Sequence, residues 1–172
     1  MKTFRGVLRN VFEGVDHVGM SKNRLFEYPK DWNMDKRFDY NCKLYKKYIL
    51  SIHAIAGYFG LKDAFFIQPV PVLYKKLTPM EKKNSTWAVG REYGKDYQRM
   101  INSLLELKNV DIPIYSIAEV FKDIDEEIYA DDIHCYVRDE KSPGNKIISE
   151  AIVEHLAKEW NLKNKSSGNN SN

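Results

Sequence analysis

The chain has 172 residues, with 27 basic and 24 acidic side chains and a formal net charge of +3. This length suits one domain with its own hydrophobic core, and the 43% hydrophobic and 13% aromatic content argues against a disordered chain. Because charges of both signs are spread along the whole chain, no large single-sign field is expected, and a nucleic-acid partner is not indicated.

The N-terminal sequence and the cysteines argue against a secreted, membrane-spanning or disulfide-rich protein. The opening MKTFRGVLRN contains no continuous apolar run, so the sequence predicts no signal peptide and no membrane span, with a cytoplasmic location by default. The two cysteines, Cys42 and Cys135, are too few for a disulfide framework and lack the paired spacing of a metal site. Both are predicted to remain thiols.

The first half of the chain predicts two helices and a strand. Apolar residues at helical spacing predict a helix within residues 1–20, followed by a loop up to residue 36. A longer apolar stripe predicts a helix from Phe38 to Phe59, which ends at glycine. The short run AFFIQPVP, residues 64–71, is typical of a strand buried on both faces.

The second half repeats the alternation. A helix is predicted from about Thr86 to Leu107, and the apolar run at 112–118 predicts a second buried strand. A final helix is predicted to run to about Trp160, with Ser142 as its N-cap and Pro143 at its first position. The polar residues 162–172 are predicted to form a disordered tail.

This order of elements predicts an α/β fold, with a parallel sheet and flanking helices. A parallel sheet that is buried on both faces usually contains more than two strands. Residues 37–161 are therefore predicted to be the C-terminal part of a larger α/β domain. The alternative is that one or two further strands lie within residues 1–36.

Candidate catalytic residues lie in YADDIHCYVRDEKSPGN, residues 129–145. Asp131 and His134 are three positions apart, so in a turn of helix-like geometry the carboxylate can hydrogen-bond the imidazole. Such a bond fixes the ring tautomer and leaves the other ring nitrogen as a general base. The pair follows the second predicted strand, and the loops after parallel strands hold the active sites of open α/β sheets.

The sequence YADDIHCYVRDEKSPGNKIISEAIVEHLAKEW resembles the last block of the SGNH (GDSL-type) hydrolase family, in which Asp-x-x-His precedes Gly-Asn and an amphipathic helix. The upstream FFIQPVPVLYKKLTPMEK is similar to a family strand that ends in Gln-Pro, with Leu-Thr-x-x-Glu shortly after it. Together the two blocks cover roughly residues 60 to 160 in the family's order. The resemblance implies a flavodoxin-like three-layer fold and a serine esterase that acts on esters or O-acetylated carbohydrate without a cofactor or metal. It also implies that His134 is the general base and Asp131 its orienting carboxylate.

The family's other motifs do not occur in this sequence. No glycine is followed by aspartate, so there is no Gly-Asp-Ser nucleophile motif, and there is no Gly-x-Asn-Asp oxyanion motif. Ser51 and Ser116 fall on a predicted helix and a predicted strand, outside any nucleophile elbow. Since triad members act as a unit, the chain alone is predicted to be inactive, as the C-terminal half of a split or truncated esterase.

Three alternatives stay open at this point. The chain could be a non-catalytic SGNH-like module that self-associates or pairs through an exposed sheet edge. A metal could bind Asp131, Asp132 and His134 together with the acids at 123–127. Asp131 could merely cap a turn, with His134 as a surface residue. His17 and His53 have no predicted role, and His155 is predicted to be packed or half-exposed on the last helix.

Overall fold

The computed structural model describes residues 28–85, 93–137 and 141–162. The chain divides into two compact units, residues 1–59 and residues 60–172. The predicted helix within residues 1–20 and nearly all of the predicted tail lie outside the described residues. The bounds 37–161 for an SGNH-like domain stay a prediction.

In the first unit, helix α1 spans Met34–Tyr58 and confirms the helix predicted there. Its first turn is capped by Asn33, whose side chain accepts a hydrogen bond from the backbone N–H of Lys36 at 2.9 Å. The buried residues repeat every seven positions, so they form one narrow seam; they are Cys42, Ile49 and Ala56. The predicted stripe was broader, and several of its members are exposed: Tyr48, Ile52 and Ile55.

The second unit contains two short parallel strands and three α-helices among its described residues. In chain order these are β1 (Phe65–Ile67), α2 (Pro79–Asn84), α3 (Tyr93–Leu105), a 3-10 helix (Glu106–Val110), β2 (Ile114–Ser116) and α4 (Pro143–Glu159). The strands pair with Phe65 opposite Ile114 and Ile67 opposite Ser116. Two parallel strands that alternate with helices along the chain confirm the prediction of an α/β fold at this coarse level. The helix α2 was not predicted. Residues 86–92, the start of the helix predicted from about Thr86 to Leu107, lie outside the described part.

Both faces of the sheet were predicted to be buried, but the two faces differ in burial. Ile67 and Ile114 are buried, as expected for a strand packed on a core, and α3 packs against β2. The opposite face carries Phe66 and Tyr115, which are only half-buried. There the half-buried His155 of α4 stacks on the Tyr115 ring at 4.8 Å between centroids, so this histidine is packed as predicted. Burial on both faces is thus partial in the described residues.

A second cluster of buried side chains lies beneath the loop that carries the candidate dyad. Phe121 and Tyr129 meet edge to face, with ring centroids 5.5 Å apart, and Ile128 completes the fully buried set. Partly buried residues pack against this set from the loop after β1, from the loop after β2 and from α4; they include Leu77, Ile124, Ile147 and Ile148. Three separate segments therefore hold the chain just before Asp131 in place.

Among residues 28–85, 93–137 and 141–162, no helix combines the length and apolar character that crossing a membrane requires.

Candidate active site

Asp131 and His134 form the hydrogen bond that their spacing predicts. The Nδ1 atom of His134 lies 2.7 Å from Oδ2 of Asp131. The other carboxylate oxygen, Oδ1, accepts the backbone N–H groups of Ile133 and His134, both at 2.8 Å. The same carboxylate therefore closes the turn with one oxygen and contacts the ring with the other, so Asp131 does more than cap a turn.

The negative charge of Asp131 determines which ring nitrogen of His134 carries the proton. Since an ionised carboxylate can only accept, Nδ1 of His134 donates and Nε2 is left as the basic nitrogen. Partial burial raises the pKa of Asp131, but hydrogen bonds from the backbone and ring of His134 and from the backbone of Ile133 outweigh it, and the net shift is downward. The side chains of His134 and Asp131 are 52% and 50% exposed, so the pair is open to solvent.

The backbone around the pair forms a closed loop over residues 128–136. Ala130 N–H donates to the carbonyl of His134 at 2.7 Å, and Tyr136 N–H donates to the carbonyl of Ile128 at 2.8 Å. Tyr129 and Cys135 face each other in an antiparallel bridge. We call this segment the dyad loop; it presents Asp131 and His134 at its tip.

The base of the dyad loop is held by Glu81, a residue that the sequence analysis did not assign to the site. Glu81 is fully buried, and its Oε1 accepts the backbone N–H groups of Ile128 at 2.8 Å and Tyr129 at 3.0 Å. Its Oε2 accepts the backbone N–H of Thr78 at 2.8 Å and the Nζ of Lys75 at 2.9 Å. Burial raises the pKa of Glu81, yet these hydrogen bonds outweigh burial and the net shift is downward.

The sequence around Glu81 contains a recognisable pattern, but that pattern indicates a helix cap and not a contact with the dyad loop. Thr78 and Glu81 form a capping box at the start of α2, a pattern that can be read from Thr-x-x-Glu. That pattern predicts a helix start, and α2 does begin there. It cannot predict that the second carboxylate oxygen turns away to bind residues 47 and 48 positions further along the chain.

Two more side chains at the end of α2 reach the dyad loop. The hydroxyl of Ser85 donates to the backbone carbonyl of Asp131 at 3.2 Å, and the amide of Asn84 donates to the hydroxyl of Tyr136 at 2.8 Å. Ser85 is fully buried, so the hydroxyl that lies next to the dyad is engaged in structure and is closed to solvent. The segment that follows β1 therefore contacts the dyad loop, which follows β2, at several points.

The serines considered from the sequence lie where they were predicted. Ser51 is on α1, and its hydroxyl donates to the carbonyl of Lys47 at 2.8 Å. Ser116 is the last residue of β2, and its hydroxyl accepts from the backbone N–H of Ala118 at 3.4 Å. Neither makes a hydrogen bond to His134 in the described contacts.

The helix α4 begins as predicted, but its cap differs. Ser142 occupies the N-cap position and Pro143 the first turn, yet the Ser142 side chain makes no capping hydrogen bond. The reason is backbone geometry: Ser142 has φ −130° and ψ 90°, whereas the capping residues Asn33 and Thr78 have ψ of 173° and 165°. Among the described residues, the buried Ser142 hydroxyl has no hydrogen-bond partner. Ser142 is thus the N-cap residue of α4, as predicted, but its side chain does not contribute a capping hydrogen bond.

The two cysteines are free thiols, and Cys135 lacks the character of a nucleophile. Cys42 is buried on α1. Burial, with a smaller contribution from the charge of Glu81, raises the pKa of Cys135 to about 11. Reactive cysteines have lowered pKa values, so Cys135 is a packed side chain beside the dyad.

The metal alternative gains no support. Within the described part of the chain, which includes the acids at 123–127, no group of three or more His, Cys, Asp and Glu side chains could hold a metal ion. The acids at 123–127 do not join Asp131, Asp132 and His134 in such a group.

Comparison of the chain with models of protein families, with curated proteins and with solved structures finds no match.

Proposed function

We propose that this chain supplies the acid–base half of an SGNH-type ester hydrolase site, with His134 as the general base and Asp131 as its orienting carboxylate. The observation that carries the proposal is the 2.7 Å contact between His134 Nδ1 and Asp131 Oδ2, in a side-chain pair that is half exposed. A carboxylate held on one ring nitrogen of a half-exposed imidazole supports proton transfer to and from a hydroxyl at the other ring nitrogen.

The fold in this proposal is the C-terminal half of a flavodoxin-like, three-layer domain. Its support is the parallel pairing of β1 with β2, together with α4 on the face of Tyr115 and α3 against β2. Strands of three residues in a parallel pair are shorter and fewer than in a stable open sheet. The proposed partner strand would come from the half that carries the nucleophile.

The reaction in this proposal divides the work between two halves. A serine hydroxyl of the partner half attacks the ester carbonyl, and Nε2 of His134 takes its proton while the C–O bond of the acyl-enzyme forms. His134 then gives that proton to the departing alcohol, and the ester C–O bond breaks. A water molecule repeats both steps and releases the acid. Asp131 stays ionised throughout and stabilises the imidazolium.

The first experiment measures hydrolysis of p-nitrophenyl acetate by the purified chain and by His134→Ala. The hydrolysis rate of the chain alone should not exceed the rate of that variant. An equimolar histidine solution gives the background rate of hydrolysis by imidazole. A rate that disappears in His134→Ala would show that a nucleophile lies within this chain. That result would overturn the proposal that the catalytic work is divided.

A second candidate is a non-catalytic SGNH-like module that pairs through its sheet edge. It is favoured by the sheet itself, because in the described residues each strand pairs only with the other and each therefore has one edge without a strand partner there. Translation of the DNA immediately upstream separates the two candidates. Gly-Asp-Ser and Gly-x-Asn-Asp in any reading frame support the hydrolase half, and their absence supports the module.

A further inference from the structure

We propose that Glu81 is a positioning residue for the dyad: its buried carboxylate sets the conformation of the dyad loop and, through it, the contact between His134 and Asp131. This inference rests on the proposed function for the meaning of the dyad. The hydrogen bonds that carry it are independent of any activity.

The geometry places Glu81 between the two segments that must be aligned. One carboxylate oxygen takes both backbone N–H groups at the base of the dyad loop, those of Ile128 and Tyr129. The other oxygen is fixed to the segment after β1 by Thr78 and Lys75. A buried carboxylate with four donors has a single orientation. The position of the segment after β1 therefore determines where the residues that precede Asp131 lie.

The connection from Glu81 to His134 is short and consists of two hydrogen bonds joined by one peptide bond. Tyr129, which donates to Glu81, faces Cys135 in the bridge that closes the dyad loop. The next residue, Ala130, donates to the carbonyl of His134 at 2.7 Å. Movement at the base of the loop therefore changes the backbone on both sides of the Asp131 turn, and with it the direction of the imidazole ring.

The chemistry of these contacts calls for a carboxylate and excludes the isosteric amide. All four groups around the Glu81 side chain are donors, and an amide has only one oxygen to accept with. In Glu81→Gln the NH₂ group must face either the Ile128 and Tyr129 amides or Thr78 and Lys75. Donor then meets donor in a fully buried position, and at least one pair of hydrogen bonds is lost.

The test is nuclear magnetic resonance on the ¹⁵N-labelled chain alone, with Glu81→Gln compared with Glu119→Gln. Glu119 is a matched control because its side chain is 59% exposed and pairs only loosely with Lys122, at 3.8 Å. We expect Glu81→Gln to reduce the hydrogen-exchange protection of the Ile128 and Tyr129 amides by at least about tenfold. We expect the ring ¹⁵N shifts of neutral His134 to move from the Nδ1–H form toward the mixture seen in free histidine, a change that general destabilisation does not produce. Glu119→Gln should leave both readouts unchanged.

A graded variant and a measurement on the unmodified chain cover the case in which Glu81→Gln does not fold. Glu81→Asp keeps the charge but is one methylene shorter, so it should retain part of the protection and part of the Nδ1–H form. In the unmodified chain, hydrogen-bond scalar couplings should join the Glu81 carboxyl carbon to the amide nitrogens of Ile128 and Tyr129. Absent couplings, or a native His134 tautomer in a folded Glu81 variant, would overturn the inference. The proposed ester hydrolysis would be unaffected by that result, and a failure of hydrolysis would leave these readouts unchanged.

Discussion

Gly144, in the first turn of α4, lies directly against Cys135 of the dyad loop: a Cβ placed on Gly144 would be 2.6 Å from the Cys135 sulfur. It would also be 2.8 Å from a methyl carbon of Ile128, which is itself 2% exposed. No side chain fits at this position without displacement of its neighbours. The absence of a Cβ is what allows the start of α4 to close over the dyad loop.

Replacement of this glycine should therefore loosen the fold. We expect Gly144→Ala to reduce the free energy of unfolding in urea by about 1–3 kcal/mol, because it overpacks a buried contact. Gly57→Ala is the matched control, since Gly57 is also helical and nothing lies within 4 Å of its added Cβ. That substitution should be neutral or stabilising by roughly 0.5–1 kcal/mol. Equal effects of the two changes would show that the contact with Cys135 is not a constraint.

The fold should lose stability in acid through Glu81 and Asp131. Both carboxyls have a lowered pKa in the folded chain, so each stabilises the fold above its ordinary pKa of about 4, and this contribution is lost as pH falls through the folded value. Urea unfolding at a series of pH values below about 5 should show this decline. Glu81→Gln should be less stable at neutral pH and decline less steeply, whereas the exposed Glu119→Gln should follow the unmodified chain. An unchanged slope in Glu81→Gln would contradict the assignment.

Cys135 should resist alkylation in the folded chain. Its pKa is raised to about 11 by burial and by Glu81. With an ordinary thiol pKa of about 8.5, the thiolate fraction at about pH 8 is lower by roughly a hundredfold in the folded state. In a Cys42→Ala chain, iodoacetamide should therefore modify Cys135 slowly without urea and rapidly in urea. Similar rates under the two conditions would mean that the partly buried position of Cys135 does not suppress its thiolate.

Asp131→Asn should disturb the His134 ring more than the overall fold. The amide oxygen can still accept the backbone N–H groups of Ile133 and His134, but its NH₂ group cannot accept from Nδ1 of the ring. We expect the ring ¹⁵N shifts to report loss of the Nδ1–H form, with a small change in unfolding free energy. Asp125→Asn, at an exposed position in the loop after β2, is the control and should change neither quantity. Retention of the Nδ1–H form in Asp131→Asn would rule out Asp131 as the orienting group.

The sequence was sufficient where structure depends on local periodicity or spacing. The stripe from Phe38 to Phe59 predicted α1, the apolar run before Pro69 predicted β1, and the spacing of Asp131 and His134 predicted their contact. These features depend on residues that are near each other in the chain, and local physical chemistry specifies them.

What the sequence did not predict depends on contacts between distant segments. Glu81 reads as part of a helix cap, and only the folded chain brings it to Ile128 and Tyr129. Ser142 is the N-cap that the sequence predicts, but the sequence does not reveal the backbone geometry in which its side chain makes no capping hydrogen bond. For Glu81, tertiary contacts add a role that its local pattern does not indicate.

The central claim is that His134 serves as the base for a nucleophile supplied by another half. The most direct measurement is the initial rate of p-nitrophenyl acetate hydrolysis by this chain combined with an SGNH N-terminal half that carries Gly-Asp-Ser and Gly-x-Asn-Asp. We predict a rate that neither half shows alone and that falls by at least about a hundredfold when His134→Ala replaces the unmodified chain. No rate in the combination, or a rate that His134→Ala leaves unchanged, would contradict the claim.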